Sequence, residues 1–182
     1  MKQALLGKTL EELQQVALSV GLQKFAGKQL AQWLYVRRVT SFDQMTNISL
    51  KGRLALEQQY TIGRHQPVAE AVSQDGTKKY LFCISNSVSG LTSNSSAYIE
   101  SVYIPDNDRA TLCVSTQAGC KMGCKFCMTG TLGFHGQLTA AEILNQIFSI
   151  PDSNKLTNIV YMGEGEPMDN IDEVLRSLQA LT

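Results

Sequence analysis

Thr111-Leu112-Cys113-Val114-Ser115, then Gly119-Cys120-Lys121-Met122-Gly123-Cys124-Lys125-Phe126-Cys127, then Thr139 to Ser149, is the stretch that decides how this chain folds. The apolar, β-branched run predicts a strand over 111–115, with the cysteine loop at its carboxyl end. Thr139 with Glu142 three positions on is a capping box and opens a helix over 139–149. A second apolar run predicts a strand over 158–162. The turn Gly163-Glu164-Gly165-Glu166-Pro167 and a helix over 171–181 follow it. Strand, loop, helix, strand, loop, helix implies parallel strands joined by crossover helices. In β/α folds of this kind, the loops at the carboxyl ends of the strands carry the chemistry.

The cysteine spacing is C-x3-C-x2-C, with the aromatic Phe126 just before the last cysteine. Three thiolates so placed can each hold one iron of a [4Fe–4S] cube and leave the fourth iron open to a substrate or cosubstrate. The competing reading is a zinc knuckle, which wants four closed ligands, usually as two close pairs. The nearest fourth ligands, His135 and Cys113, do not lie at a sensible spacing. Gly119 and Gly123 let the backbone fold closely around a cube and turn N–H groups toward its sulfurs. At 163–167, the glycines permit close approach to a ligand, and freed carbonyls or a carboxylate could receive the ammonium of a bound amino acid.

Cys113, on the strand feeding the cluster loop, reads from spacing alone as a small buried hydrophobe. Glu100 is a strand carboxylate turned to water, or a buried base with a raised pKa. Cys83 reads as core, and His65 and His135 as surface or loop residues.

Outward from this core, the first 60 residues read as short helices. Thr9 and Glu12 form a capping box ahead of Leu10, Leu13, Val16, Ala17 and Val20, and Gly21 ends that helix. A second helix is expected over 27–38, burying Leu30, Trp33 and Leu34. Ser41 and Ser49 cap two shorter ones, the latter carrying Leu50, Leu54 and Leu56. The pattern then turns to period two. Asp75-Gly76 marks a hairpin between strands at 68–72 and 79–85, residues 86–96 read as a loop, and a strand at 98–104 meets a turn at 105–108.

The expected class is therefore α+β. A helical accessory module covers 1–64, a β-strand connector 65–108, and the first two β/α units of an incomplete barrel 109–182. Two such units cannot close a barrel and leave an unpaired parallel edge. With the last helix running to the chain end uncapped, the expectation is the front portion of a longer protein.

Composition bounds the rest. The chain has 182 residues, 43% of them hydrophobic, which permits a sizeable core. Five cysteines, three of them clustered, argue against a secreted disulfide scaffold. No apolar run suits a membrane span or a signal peptide, so a soluble, cytoplasmic protein is expected. Net charge is zero, yet residues 1–66 hold nine Lys/Arg against four acids, a net of +5. A basic module of that kind meets a polyanion or is simply a solvated helical surface.

Several segments together resemble the RlmN/Cfr family of radical S-adenosylmethionine (SAM) RNA methyltransferases, most strongly its adenine-C2 members. They are Phe25-Ala26-Gly27-Lys28-Gln29-Leu30 with Trp33-Leu34-Tyr35, Ser41 to Asn47, Asp75-Gly76-Thr77-Lys78, Glu100 to Pro105, Arg109 to Ser115, the cysteine loop, Gly133-Phe134, and Met162 to Pro167. The resemblance implies that Cys120, Cys124 and Cys127 ligate a [4Fe–4S] cluster whose open iron takes SAM, and that Gly165 and Glu166 contact SAM.

It further implies that one SAM methylates a late cysteine and a second yields a 5′-deoxyadenosyl radical that activates that methyl group for addition to adenine C2. Glu100 then removes the C2 proton, and Cys113 resolves the protein–RNA adduct as a disulfide. The implied substrates are adenosine 2503 of 23S rRNA and adenosine 37 of tRNA, with an electron donor such as flavodoxin as partner. Radical addition suits an electron-poor carbon that cannot act as a nucleophile. Two departures stand out. No cysteine follows Cys127, and Glu164 stands where many members have Met. This piece alone is therefore expected to be inactive. The rival readings are a Cfr-like C8 methyltransferase and a non-catalytic RNA-binding module.

Overall fold

A computed structural model of the chain describes residues 2–84 and 97–181. The expected loop over 86–96 lies outside the described residues. The chain divides into two compact units, residues 1–64 with 175–182, and residues 65–174. No described helix is long and apolar enough to cross a membrane.

In the first unit, a two-residue strand β1 (Gln3–Ala4) pairs in parallel with β2 (Tyr60–Thr61) and so ties the start of the unit to its end. Between them lie α1 (Leu10–Ser19), α2 (Ala26–Ala31) and α3 (Leu50–Gln59). The Thr9 hydroxyl accepts from the Glu12 N–H at 3.3 Å while the Glu12 carboxylate accepts from the Thr9 N–H at 2.8 Å, so both halves of the capping box form. Gly21 ends α1 with φ +76°, and the Leu22 N–H closes back on Ala17 O.

The core is built from Leu5, Leu13, Val16, Leu30, Leu34, Phe42, Met45 and Leu56, among others. The second helix is shorter than expected. It passes at Gln32 into a π-helical turn that ends at Val36. That turn rotates Trp33 to the rim of the core, half-buried, where its Nε1 donates to Asn47 Oδ1 at 2.5 Å and Arg37 lies over its ring. Of the three leucines on α3, Leu56 is buried while Leu50 and Leu54 are exposed.

The second unit is organised by a five-stranded sheet in the order β3-β4-β5-β6-β9, formed by β3 (Ala69–Val72), β4 (Lys78–Ile84), β5 (Ala97–Asp106), β6 (Arg109–Cys113) and β9 (Asn158–Val160). The first four strands are antiparallel neighbours. β6 and β9 run parallel, with Thr111 opposite Asn158 and Cys113 opposite Val160. The strands read as a connector thus share one sheet with the strands of the β/α core.

A separate two-stranded ladder of β7 (Gln117–Gly119) and β8 (Phe134–Gln137) brackets the cysteine loop, which contains the short helix α4 (Met128–Thr131). Helix α5 (Ala140–Phe148) makes the crossover to β9, with Ile143, Leu144, Ile147 and Phe148 buried. Its Thr139–Glu142 capping box forms as the sequence predicts. The last helix, α6, covers Ile171–Leu181.

Candidate radical SAM centre

Strand β6 stops at Cys113, two residues earlier than its apolar pattern suggests, and the chain continues through 114–116 as buried irregular backbone. Buried backbone outside a ladder needs other partners. Gln146 of α5 supplies two of them, its Oε1 accepting from the Ser115 N–H and its Nε2 donating to Ser115 O, both at 2.9 Å. The Asn170 amide donates to Thr116 O and Leu138 O at 2.8 Å each. Glu164 O accepts from the Thr116 and Gln117 N–H groups. A non-repetitive segment thereby has its backbone groups paired, and it delivers Gly119 to the mouth of the cysteine loop.

The loop is closed at its base by the Cys120 N–H, which donates to Gly133 O at 3.1 Å. Gly119 has φ +67°, and a Cβ there would fall 1.8 Å from Gly133 O, so only glycine allows this closure. Cys120 and Cys127 are half-buried, Cys124 is exposed, and none is in a disulfide. Hydrogen bonds from the Gly130 and Thr129 N–H groups and the Thr129 hydroxyl hold the Cys127 thiol below the usual cysteine range. Phe126 is 94% exposed, so the outer face of the loop is uncovered.

Among the described residues, no three or more His, Cys, Asp or Glu side chains gather as they would around a single metal ion. A cube asks for something different, namely one thiolate per iron and N–H groups aimed at sulfur. Three free thiols on one closed loop, one of them already receiving N–H donors, fit that demand.

Loop 163–167 lies directly against this framework. Gly165 has φ +96°, and a Cβ there would stand 2.5 Å from the Gln117 Cβ. The Glu166 N–H donates to Gln117 Oε1 at 2.9 Å, and the Glu166 carboxylate accepts from the Met168 N–H, capping a 3₁₀ turn. Of the carbonyls at 164–166, those of Glu164 and Glu166 accept from the chain's own N–H groups. Gly165 and Glu166, the expected SAM contacts, both lie on this turn.

Glu100 and Cys113 share one face of the sheet. Val102 is the direct partner of Cys113 and sits two residues from Glu100 on the same strand. The Glu100 carboxylate is half-exposed and ion-paired with Lys79 at 3.0 Å. Burial pushes the Cys113 thiol up, opposed by a hydrogen bond from the Met162 N–H. A cleft of about 760 Å3 brings Glu100, Lys79 and Tyr98 of the sheet together with Gly119, Met128, Thr129, His135 and Glu164 from the loop side. Cys113, Gly165 and Glu166 do not line it.

Three contributors were not legible as site residues. Glu164 spans the cleft wall, accepting from the Glu100 N–H with Oε1 and from the Gly119 N–H with Oε2, each at 3.1 Å. Burial pushes its carboxyl up despite those two donors. His135, expected as a surface histidine, is exposed but lies on the cleft wall. Gln146 carried a signal that could have been used, because it is a polar side chain on the apolar stripe of α5.

Comparison with known proteins places this geometry. The crystal structure of a radical SAM methyltransferase from Sphaerobacter thermophilus superposes with a TM-score of 0.83 at 33% identity, covering 98% of this chain and 52% of that one. The fold and its cysteine loop thus define the class as that of the radical SAM methyltransferases.

The family model described as "Ribosomal RNA large subunit methyltransferase N-terminal domain" matches residues 3–62. A probable dual-specificity RNA methyltransferase RlmN from Phocaeicola vulgatus is 56% identical over all of this chain and 49% of its own length. The Geobacter sulfurreducens RlmN is 41% identical over 96% of this chain and 46% of its own. The chain belongs to the RlmN family, and it spans about half the length of the curated relatives it matches.

Proposed function

We propose that the whole protein is a radical SAM methyltransferase acting at C2 of adenosine in 23S rRNA and tRNA, in the cytoplasm, with an electron donor such as flavodoxin. The observation that carries this reading is the three-cysteine loop pinned at its base between β7 and β8, beside a cleft with Glu100 on its wall. Cys120, Cys124 and Cys127 would hold the [4Fe–4S] cluster, and Gly165 and Glu166 would receive SAM. When bound, the pair supplies hydrogen-abstracting chemistry, which an electron-poor ring carbon requires.

The chain's own residues do the rest. The Glu100 carboxylate, oriented by Lys79, would take the C2 proton. Cys113, on the same face of the sheet, would supply the resolving thiol, its partner sulfur coming from a cysteine that is not among these 182 residues. The framework of Gln146, Asn170 and Glu164 keeps the loop mouth fixed while those groups act. The basic 1–64 module would hold structured RNA by its backbone. Exposed Lys24, Lys28, Arg37 and Lys51 support that role.

The test is anaerobic reconstitution of the protein in its natural length. Iron and sulfide in cube stoichiometry, with a four-iron absorbance and EPR signature lost on changing Cys120, Cys124 and Cys127 to Ala, are expected. Mass-spectrometric mapping of the modified base should find C2 and not C8. Bound zinc in place of a cluster would end the reading.

A further inference from the structure

Both chain neighbours of Cys120 are held by carboxylates from one short segment, 163–170. On one side, the Gly119 N–H donates to Glu164 Oε2 at 3.1 Å. On the other, the Lys121 ammonium lies 2.8 Å from Asp169 Oδ2. We propose that Glu164 and Asp169 are positioning residues for Cys120, so that the segment expected to receive SAM also sets where the first cluster thiolate stands. This rests on the reading of Cys120 as a cluster ligand.

Each carboxylate is itself fixed before it acts. Glu164 is held at its N–H by Ser115 Oγ, at its carbonyl by the Thr116 and Gln117 N–H groups, and at its second carboxylate oxygen by the Glu100 N–H. It is a strut running from β5 to the loop mouth.

Asp169 Oδ2 also accepts from Gln117 Nε2 at 2.7 Å and Gln137 Nε2 at 3.3 Å. Its carbonyl accepts from Gln137 Nε2, and its N–H donates to Glu166 O. The two amides of β7 and β8 thus aim the carboxylate at Lys121, which additionally packs over the Phe134 ring at 4.9 Å. A half-exposed ion pair contributes little stability. Its effect here is directional, since Lys121 is covalently next to Cys120 and the pair restricts where that residue can sit. Both carboxylates reach Cys120 through its chain neighbours Gly119 and Lys121, so the action inferred for them is through the backbone of Cys120.

The experiment uses the reconstituted natural-length protein with Asp169→Asn, Lys121→Met, the double variant, and Asp169→Glu. The rate at which a chelator bleaches the four-iron absorbance is followed beside thermal unfolding. Each single variant should lose its cluster several-fold faster with Tm nearly unchanged. The double should be no faster than the worse single, and Asp169→Glu should recover part of the loss.

A second measurement guards against misfolding. In metal-free protein, backbone hydrogen exchange across 118–122 should speed up in the two single variants and in Glu164→Gln, while the β3–β4 hairpin is unaffected. Unchanged retention and exchange in all variants, or strictly additive effects of Asp169→Asn and Lys121→Met, would overturn the inference alone. A wild-type protein that takes no cube would overturn the functional reading and this inference with it.

Discussion

Gln146 donates and accepts at the same residue, Ser115, and by doing so replaces two ladder hydrogen bonds that β6 no longer makes. Removing it leaves a buried N–H and a buried C=O unpaired. Gln146→Leu is therefore expected to cost about 2–4 kcal/mol, well beyond an exposed substitution. Denaturant unfolding of the metal-free protein measures it, and a cost under about 1 kcal/mol would show that another group takes over at Ser115. At this scale the sequence was readable where a pattern is local. Three cysteines within eight positions announce themselves. The contacts of Glu164 and of Asp169 with the loop mouth were not readable, because they join segments about 50 residues apart whose register no periodicity records.

Elements divide along the same line. The Thr9–Glu12 and Thr139–Glu142 capping boxes and the Asp75-Gly76 turn could be read from short-range signatures, and the parallel relation of β6 to β9 from the strand-helix-strand order. The β1–β2 pairing could not, because two-residue strands carry no alternation. Nor could the π turn that moves Trp33 to the rim.

One prediction belongs to the β4 element and the loop it meets. Asp152 is buried and accepts hydrogen bonds from Lys155, Lys78 and Tyr80, which hold its carboxyl down to about 2 against an ordinary 3.8. The folded state then binds that proton more weakly than the unfolded chain. The stabilisation is fully present above about pH 4 and is lost as pH falls from 3.8 to about 2. Solvent at the exposed Lys155 keeps the cost of Asp152→Asn to about 1–2 kcal/mol at neutral pH. Urea melts from pH 7 to pH 2 should show the two proteins converging at the acid end. A gap that stayed constant with pH would remove the ion pairs as its cause.

For the molecule as a whole, the net +5 over residues 1–66 matters more than the zero total. Part of that charge is tied into the fold, with Lys2 and Arg53 donating to backbone carbonyls, yet it remains charge at the surface of the unit. The proposed RNA role predicts that affinity of the natural-length protein for structured RNA falls steeply with salt. Lys24→Glu with Lys28→Glu should weaken binding and flatten the slope of log K against log salt by about two. Filter binding at several ionic strengths checks this, and an unaltered slope would assign the RNA contacts elsewhere.

The bracket formed by β7 and β8 has one more implication. In small zinc modules, the metal must gather distant stretches of chain, so uptake and folding are a single event. Here the two ends of the cysteine loop are tied to each other by protein hydrogen bonds, so the entropy of closing that ring is offset by backbone pairing and not by a metal alone. On the proposed reading, loss of the cluster would leave this pairing in place, so metal removal would lower stability far less than it does in a zinc module.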